Sequence, residues 1–153
     1  MGAVAGVVSW IHIATAIVAV GGLTFILMTL RPAATASLDS PTVGKLMGQV
    51  AMRFRWVVWT AIILFVVTGL WLMTQYRSIT TFDQAVGTSY GRTLLVKSLL
   101  SLVLFASALL ISIPHRRLAW FRARALFFQQ LNAALAFLIV LLAAFMVRAG
   151  GLF

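Results

Sequence analysis

Two side chains that can take part in acid–base or ligand chemistry lie inside long apolar stretches of this sequence. His12 belongs to the apolar run 7–30 and Lys97 to the run 91–113. A titratable group is costly in hydrocarbon, so each is a candidate functional residue. An imidazole nitrogen could bind haem iron or copper, and an ammonium could pair with an anion or transfer a proton. The structural alternatives are an interhelical hydrogen bond for His12 and snorkelling of Lys97 to the membrane interface.

Four further side chains could assist such a site. Arg92 and Arg148 lie near the ends of apolar runs, where they would anchor helices or bind haem propionates. Met73 and Met146 could supply a thioether as a second axial haem ligand or as a soft ligand to Cu(I), although methionine in an apolar helix usually only packs. Asn132, inside the last apolar run, is predicted to make an interhelical hydrogen bond.

The composition indicates an integral membrane protein. The 153 residues are 63% hydrophobic and only 9% charged, whereas soluble domains are roughly half apolar and a quarter charged. The net charge of +10 does not indicate a nucleic-acid partner, because the basic residues lie at the ends of apolar runs. The absence of cysteine excludes disulfides, thiolate metal sites and a thiol nucleophile.

The apolar pattern predicts an all-α fold with four transmembrane helices. Each run exceeds about 20 residues, which spans a hydrocarbon core of about 30 Å when helical. Only helices satisfy every backbone group over such continuous runs. We expect an antiparallel four-helix bundle forming a single domain over residues 1–153, with helices at about 7–30, 54–75, 91–113 and 125–147.

Proline and polar residues are predicted to mark the ends of the helices. Arg31-Pro32 should end the first helix and Pro114 the third. The segment 31–53 then reads as a loop that contains a short interfacial helix over 43–52, with Ser40 as its cap.

The basic residues predict the orientation of the chain. The first and third loops carry eight Lys and Arg residues, and the opposite side carries three. Loops one and three should therefore be cytoplasmic, with both termini outside. In that orientation His12 and Lys97 lie about 8 Å and about 9 Å below the outer surface. We expect both groups to contribute to one site near that surface.

Several motifs resemble a known group of membrane proteins. Trp10-Ile11-His12, Gly21-Gly22 and Arg31-Pro32 resemble the first helix of CopD-type copper-resistance domains. The segment Tyr90-Gly91-Arg92-Thr93-Leu94-Leu95-Val96-Lys97 is similar to a tyrosine-glycine-arginine-x-leucine-leucine-x-lysine segment of that family and is the most specific of these matches. Thr68-Gly69-Leu70-Trp71-Leu72 and Leu131-Asn132 are similar to segments of HemJ-type protoporphyrinogen oxidases.

The two branches of this resemblance imply different cofactors. The HemJ-type resemblance implies haem b on His12 with Lys97 essential nearby. The CopD-type resemblance implies copper passage across the bacterial inner membrane.

Three functional hypotheses follow from the residues and the resemblance. In the first, His12 binds haem b, Lys97 is the candidate catalytic group, and Arg92 or Arg148 stabilises propionates in a haem-dependent membrane oxidoreductase or electron carrier. In the second, His12 handles a copper ion together with Met73 or Met146. In the third, the chain is a cofactor-free accessory subunit. The lipid-facing surface of four helices also favours a homodimer or a larger membrane complex.

Overall fold

The computed structural model of the chain describes residues 2–76, 81–112, 120 and 123–149. Across these residues the structure is helical and contains no strand, which confirms the predicted all-α class. The helices, numbered in chain order, are α1 (Gly2–Phe25), α2 (Arg31–Ser37), α3 (Ser40–Trp71), α4 (Phe82–Gly87), α5 (Ser89–Ser112) and α6 (Ala125–Ala149). Wider π-helical turns follow α1 (Ile26–Leu30) and α3 (Leu72–Tyr76).

Four helical stretches are long and apolar enough to cross a membrane, as the sequence predicted. Each stretch has few polar residues between its ends. Because a helix satisfies its backbone hydrogen bonds internally, such a stretch can lie in the apolar interior of a membrane. The stretches are Gly2–Ser37, Ser40–Thr74, Gly91–Ile111 and Ala125–Phe145.

The first helical stretch continues past Arg31-Pro32, so the prediction that this pair ends the helix is wrong. In a regular α-helix the Pro32 ring would clash with the carbonyl four residues earlier. The π turn Ile26–Leu30 precedes it instead, and the Arg31 N–H bonds to the Ile26 carbonyl, five residues back. The wider turn accommodates the proline ring at the start of α2, and the helical path continues to Ser37.

Asp39, and not Ser40, caps the next helix. Leu38 is extended and ends α2, and the Asp39 carboxylate then accepts a hydrogen bond from the Thr42 backbone N–H at 3.3 Å. The pKa of Asp39 lies below the usual value of 3.8. The hydrogen bond from the Thr42 side chain is the largest cause, and the hydrogen bond from the Thr42 backbone is the next. The predicted loop and interfacial helix are therefore replaced by α2, a two-residue break and the first turns of one continuous 32-residue helix.

The chain divides into two compact units, residues 1–69 and residues 70–153. In the first unit α1 and α3 run antiparallel, since His12 contacts Thr68 and Gly22 contacts Phe54. The two helices meet through side chains, with the His12 imidazole on Thr68 and the Phe54 ring against Gly22. Buried members of this unit are Ala5, Thr15, Ala34, Ala61 and Thr68.

In the second unit α5 packs along α6. Asn132 on α6 is only 5% exposed, and its side-chain amide forms a short hydrogen bond with the Ser107 hydroxyl on α5. This contact confirms the interhelical hydrogen bond that the sequence predicted for Asn132. Large apolar side chains on the other faces remain exposed, as is expected of surfaces that face lipid: Leu99, Leu102, Phe127, Phe137 and Leu141.

Candidate functional site around His12

His12 is half-buried on the inward face of α1 and is held by three residues of α3. Its Nδ1 lies 2.7 Å from the Thr68 hydroxyl oxygen. The Phe65 ring meets the imidazole edge-on, with ring centroids 5.1 Å apart. A Cβ added to Gly69 would lie 3.7 Å from His12 Cε1, an ordinary van der Waals distance, so Gly69 lies beside that edge of the ring. The imidazole therefore has a defined position and plane.

The three contact positions share one face of α3, because residues three and four apart are neighbours on a helix. Thr68 is 5% exposed, and its hydroxyl also donates to the Leu64 carbonyl at 2.5 Å. The sequence did not assign Thr68 a role in the site. In the sequence, Thr68 is visible only as a hydroxyl residue beside a glycine inside an apolar run. This pattern does not show which residue the hydroxyl would contact.

Small residues flank His12 along α1 at helical spacing. Thr15 is buried, and its hydroxyl donates to the Ile11 carbonyl at 2.7 Å. Ala16, Ala19 and Gly22 are half-buried on the same face. Gly22 lies against the Phe54 ring of α3, because an added Cβ would lie 2.6 Å from Phe54 Cε2. At this position of the stripe the missing side chain therefore makes room for an aromatic ring.

An open groove of about 510 Å³ lies between α1 and α3, and His12 does not line it. Trp10 and Trp56 belong to its wall and are 69% and 72% exposed, as expected of aromatic side chains that meet lipid. The other lining residues are mainly aliphatic: Ile11, Ala14, Thr15, Val18, Val57, Thr60, Ala61 and Leu64. The groove is apolar and offers no charged group to an anionic ligand.

In the second unit Lys97 lies on the packed face of α5. Its side chain is half-buried, and its backbone carbonyl accepts a hydrogen bond from the Ser101 hydroxyl at 2.8 Å. The exposed face of the same helix is formed by apolar residues, among them Leu95, Val96 and Leu99. Lys97 therefore does not share the face of α5 that is open to lipid.

The residues that the sequence suggested as helpers of the site are Arg92, Met73, Met146 and Arg148. Arg92 is exposed, and its Nε donates to the Val86 carbonyl at 2.8 Å, which ties the start of α5 to α4. This bond favours an anchoring role for Arg92. Met73 is half-buried in the π turn Leu72–Tyr76. Met146 and Arg148 lie in α6, and their side chains are outside the described part of the chain.

His12 belongs to the first unit, whereas Met73, Arg92 and Lys97 belong to the second. The expectation that they form one site at one depth stays a prediction.

The donor set around His12 restricts the chemistry of any metal there. Within residues 2–76, 81–112, 120 and 123–149, no group of three or more His, Cys, Asp or Glu side chains could hold a metal ion. A copper ion or haem iron would therefore take a single imidazole from this part of the chain. Its remaining ligands would be thioethers, backbone oxygens or a macrocycle. A position held by Phe65 and Thr68 suits an imidazole that binds alone, because its orientation needs no second protein ligand.

Four membrane-length helices and an intramembrane histidine define the class, a multi-pass membrane protein with a candidate metal-binding residue. The family model of Copper resistance protein D (CopD) matches residues 48–147, about two thirds of the chain. The chain belongs to this family. No curated protein and no solved structure matches the chain significantly.

The matched range includes Thr68, Met73, Arg92 and Lys97 but begins within α3, after His12. The family match therefore supports the CopD resemblance without covering the histidine. The resemblance to HemJ-type oxidases stays a prediction.

Proposed function

We propose that the chain handles copper in the membrane and that His12 is a copper ligand. The observation that carries the proposal is the family match to Copper resistance protein D. Copper is the cargo of this function, so the site needs to bind the ion reversibly. One oriented imidazole suits that requirement better than a closed site of several strong ligands.

The ligand chemistry fits Cu(I) best. Imidazole and thioether groups are ligands that copper accepts, and the chain has no cysteine that would bind it more tightly. Met73 and Met146 are the proposed soft partners of His12. Lys97 has no ligand role in this proposal, since an ammonium carries no lone pair.

Haem b on His12 is the second candidate, favoured by the fixed position of the ring. Lys97, with Arg92 or Arg148, would pair with the propionates. Haem would supply one-electron chemistry, and the chain would then serve electron transfer or porphyrin-linked oxidation.

The proposed location is the bacterial inner membrane, with loops one and three in the cytoplasm and both termini outside. The excess of basic residues in those loops supports this orientation. His12 would then receive copper near the outer face. A homodimer or a larger complex is the proposed assembly.

The test is metal analysis and absorbance spectroscopy of detergent-purified protein loaded with Cu(I) or with haemin. We compare wild type, His12→Ala and His115→Ala, which removes the other histidine of the chain. Copper binding that is lost in His12→Ala and kept in His115→Ala supports the copper proposal. A Soret band with the same dependence on His12 replaces it by the haem candidate.

A wild type that retains neither copper nor haem overturns both candidates. The accessory-subunit hypothesis would then remain, with His12 joining helices through contacts such as its hydrogen bond to Thr68.

A further inference from the structure

We infer that Thr68 fixes the ring proton of His12 on Nδ1, which leaves the lone pair of the neutral ring on Nε2. This inference rests on the proposed function, in which His12 is a ligand. Thr68 is then a positioning residue, since it acts on the metal only through the imidazole.

The Thr68 hydroxyl lies close to two possible hydrogen-bond partners but carries a single proton. A threonine hydroxyl carries one proton and can donate one hydrogen bond. Its oxygen lies 2.5 Å from the Leu64 carbonyl oxygen and 2.7 Å from His12 Nδ1. A carbonyl oxygen can only accept, so the contact with Leu64 requires the Thr68 proton. Without that proton, two oxygen atoms would face each other at 2.5 Å with their lone pairs opposed.

The second step assigns the imidazole proton. Because the Thr68 proton points to Leu64, the hydroxyl presents a lone pair to His12. The Nδ1 atom at 2.7 Å must therefore carry a hydrogen and donate it. A neutral imidazole has one ring proton, so Nε2 holds the lone pair.

The third step is the rigidity of this arrangement. Thr68 is buried, and its bond to Leu64 lies within one helix, so the position of its hydroxyl does not depend on the packing of a loop. Phe65, one turn earlier on the same face, sets the plane of the imidazole by its edge-on contact. Helix α3 therefore provides both the direction of the hydrogen bond and the tilt of the ring.

The consequence concerns the protonation state of the ring, since a metal ligand needs a nitrogen lone pair. Histidines that bind metals usually donate their second ring N–H to a fixed acceptor, and loss of that acceptor commonly weakens metal binding by about 10- to 100-fold. Thr68→Val removes the hydroxyl while it keeps a β-branched side chain of similar size. Thr68→Ser keeps the hydroxyl and is the matched control.

The experiment begins with the metal-free protein. Nitrogen NMR of detergent-solubilised protein with ¹⁵N-labelled histidine identifies which ring nitrogen of His12 is protonated, and His12→Ala assigns the signals. We expect the Nδ1–H form in wild type and in Thr68→Ser. In Thr68→Val we expect a shift towards the Nε2–H form. Titration of the same three proteins with Cu(I) and with haemin should give binding about 10- to 100-fold weaker only in Thr68→Val.

The outcomes separate this inference from the proposed function. An Nε2–H tautomer in wild type overturns the inference, whatever the metal titration gives. An unchanged tautomer in Thr68→Val that is as well folded as wild type, judged by circular dichroism, also overturns it. If Thr68→Val does not fold, Thr68→Ala replaces it in the same comparison. An Nδ1–H wild type that binds neither probe supports the assigned tautomer and overturns the proposed function.

Discussion

Within the part of the chain that the structure describes, each unit has a polar side-chain contact across an apolar helix interface, and the two contacts share one arrangement. In the first unit the Thr68 hydroxyl bonds to the backbone of its own helix and meets His12. In the second unit the Ser107 hydroxyl bonds to the Leu104 carbonyl of its own helix and meets Asn132. A hydroxyl anchored on one helix thus fixes a polar side chain of another helix in each unit.

The two contacts differ in the chemical group that meets the hydroxyl, which is an amide in Asn132 and an imidazole in His12. An amide carries a donor and an acceptor on one carbon, so rotation of Asn132 can satisfy the Ser107 hydroxyl with either group. An imidazole instead adapts through the position of its ring proton, which leaves a lone pair on the other nitrogen. The Asn132 contact is therefore suited to holding helices together, and the His12 contact is suited to holding a ligand atom.

The largest expected effect separates these two roles. His12→Ala should abolish binding of Cu(I) or haemin, while Asn132→Ala should leave it unchanged, because only the imidazole offers a metal ligand. Asn132→Ala should instead destabilise the fold by about 1 kcal/mol, the usual range for an interhelical hydrogen bond in a membrane protein. Ligand titration and denaturant unfolding in detergent measure the two effects, and loss of copper binding in Asn132→Ala would break the comparison.

Lys97 sharpens the choice between the two metal candidates. Lys97→Met should weaken haemin binding about tenfold if the ammonium pairs with a propionate, since charge-assisted hydrogen bonds contribute about 1.5–3 kcal/mol. The same variant should leave Cu(I) binding unchanged. Lys97→Arg keeps the positive charge and is the control. Equal haemin affinity in wild type and Lys97→Met would exclude a propionate contact.

Gly22 tests whether the first unit depends on close helix packing. Gly22→Ala should cost about 1 kcal/mol, because the added Cβ would lie 2.6 Å from Phe54 Cε2 and the ring must move. Gly21→Ala is the matched control, since nothing lies within 4 Å of a Cβ at that position. Unfolding in detergent compares the two variants. Equal stability would show that the Phe54 ring moves without cost.

The smallest expected effect is the pH dependence contributed by Asp39. Its folded pKa lies below the usual 3.8, so the carboxylate stabilises the folded state above that value. This contribution should decline below 3.8 and be lost as the pH falls through the lowered folded pKa. Asp39→Asn keeps a capping side chain without the charge and should lack this dependence. Unfolding near neutral pH and well below 3.8 measures the difference, and parallel pH profiles would refute it.

The sequence alone predicted the four membrane-length helices and the two titratable residues inside them. In lipid, the length and composition of an apolar run are enough to specify a helix, because no other structure satisfies its backbone. His12 and Lys97 are conspicuous for the same reason, since a titratable side chain stands out in an apolar run. The ends of the helices were less predictable, because the π turn before Pro32 and the cap at Asp39 depend on local geometry that residue types do not reveal.

Only the tertiary structure decided which residue meets His12. Thr68 is 56 positions away in the chain, and its hydroxyl is one of several in the apolar runs. The sequence limited the choice to residues near the opposite end of a neighbouring helix. The register and rotation of α1 on α3 then selected Thr68, because they bring the imidazole and the hydroxyl within hydrogen-bond distance of each other.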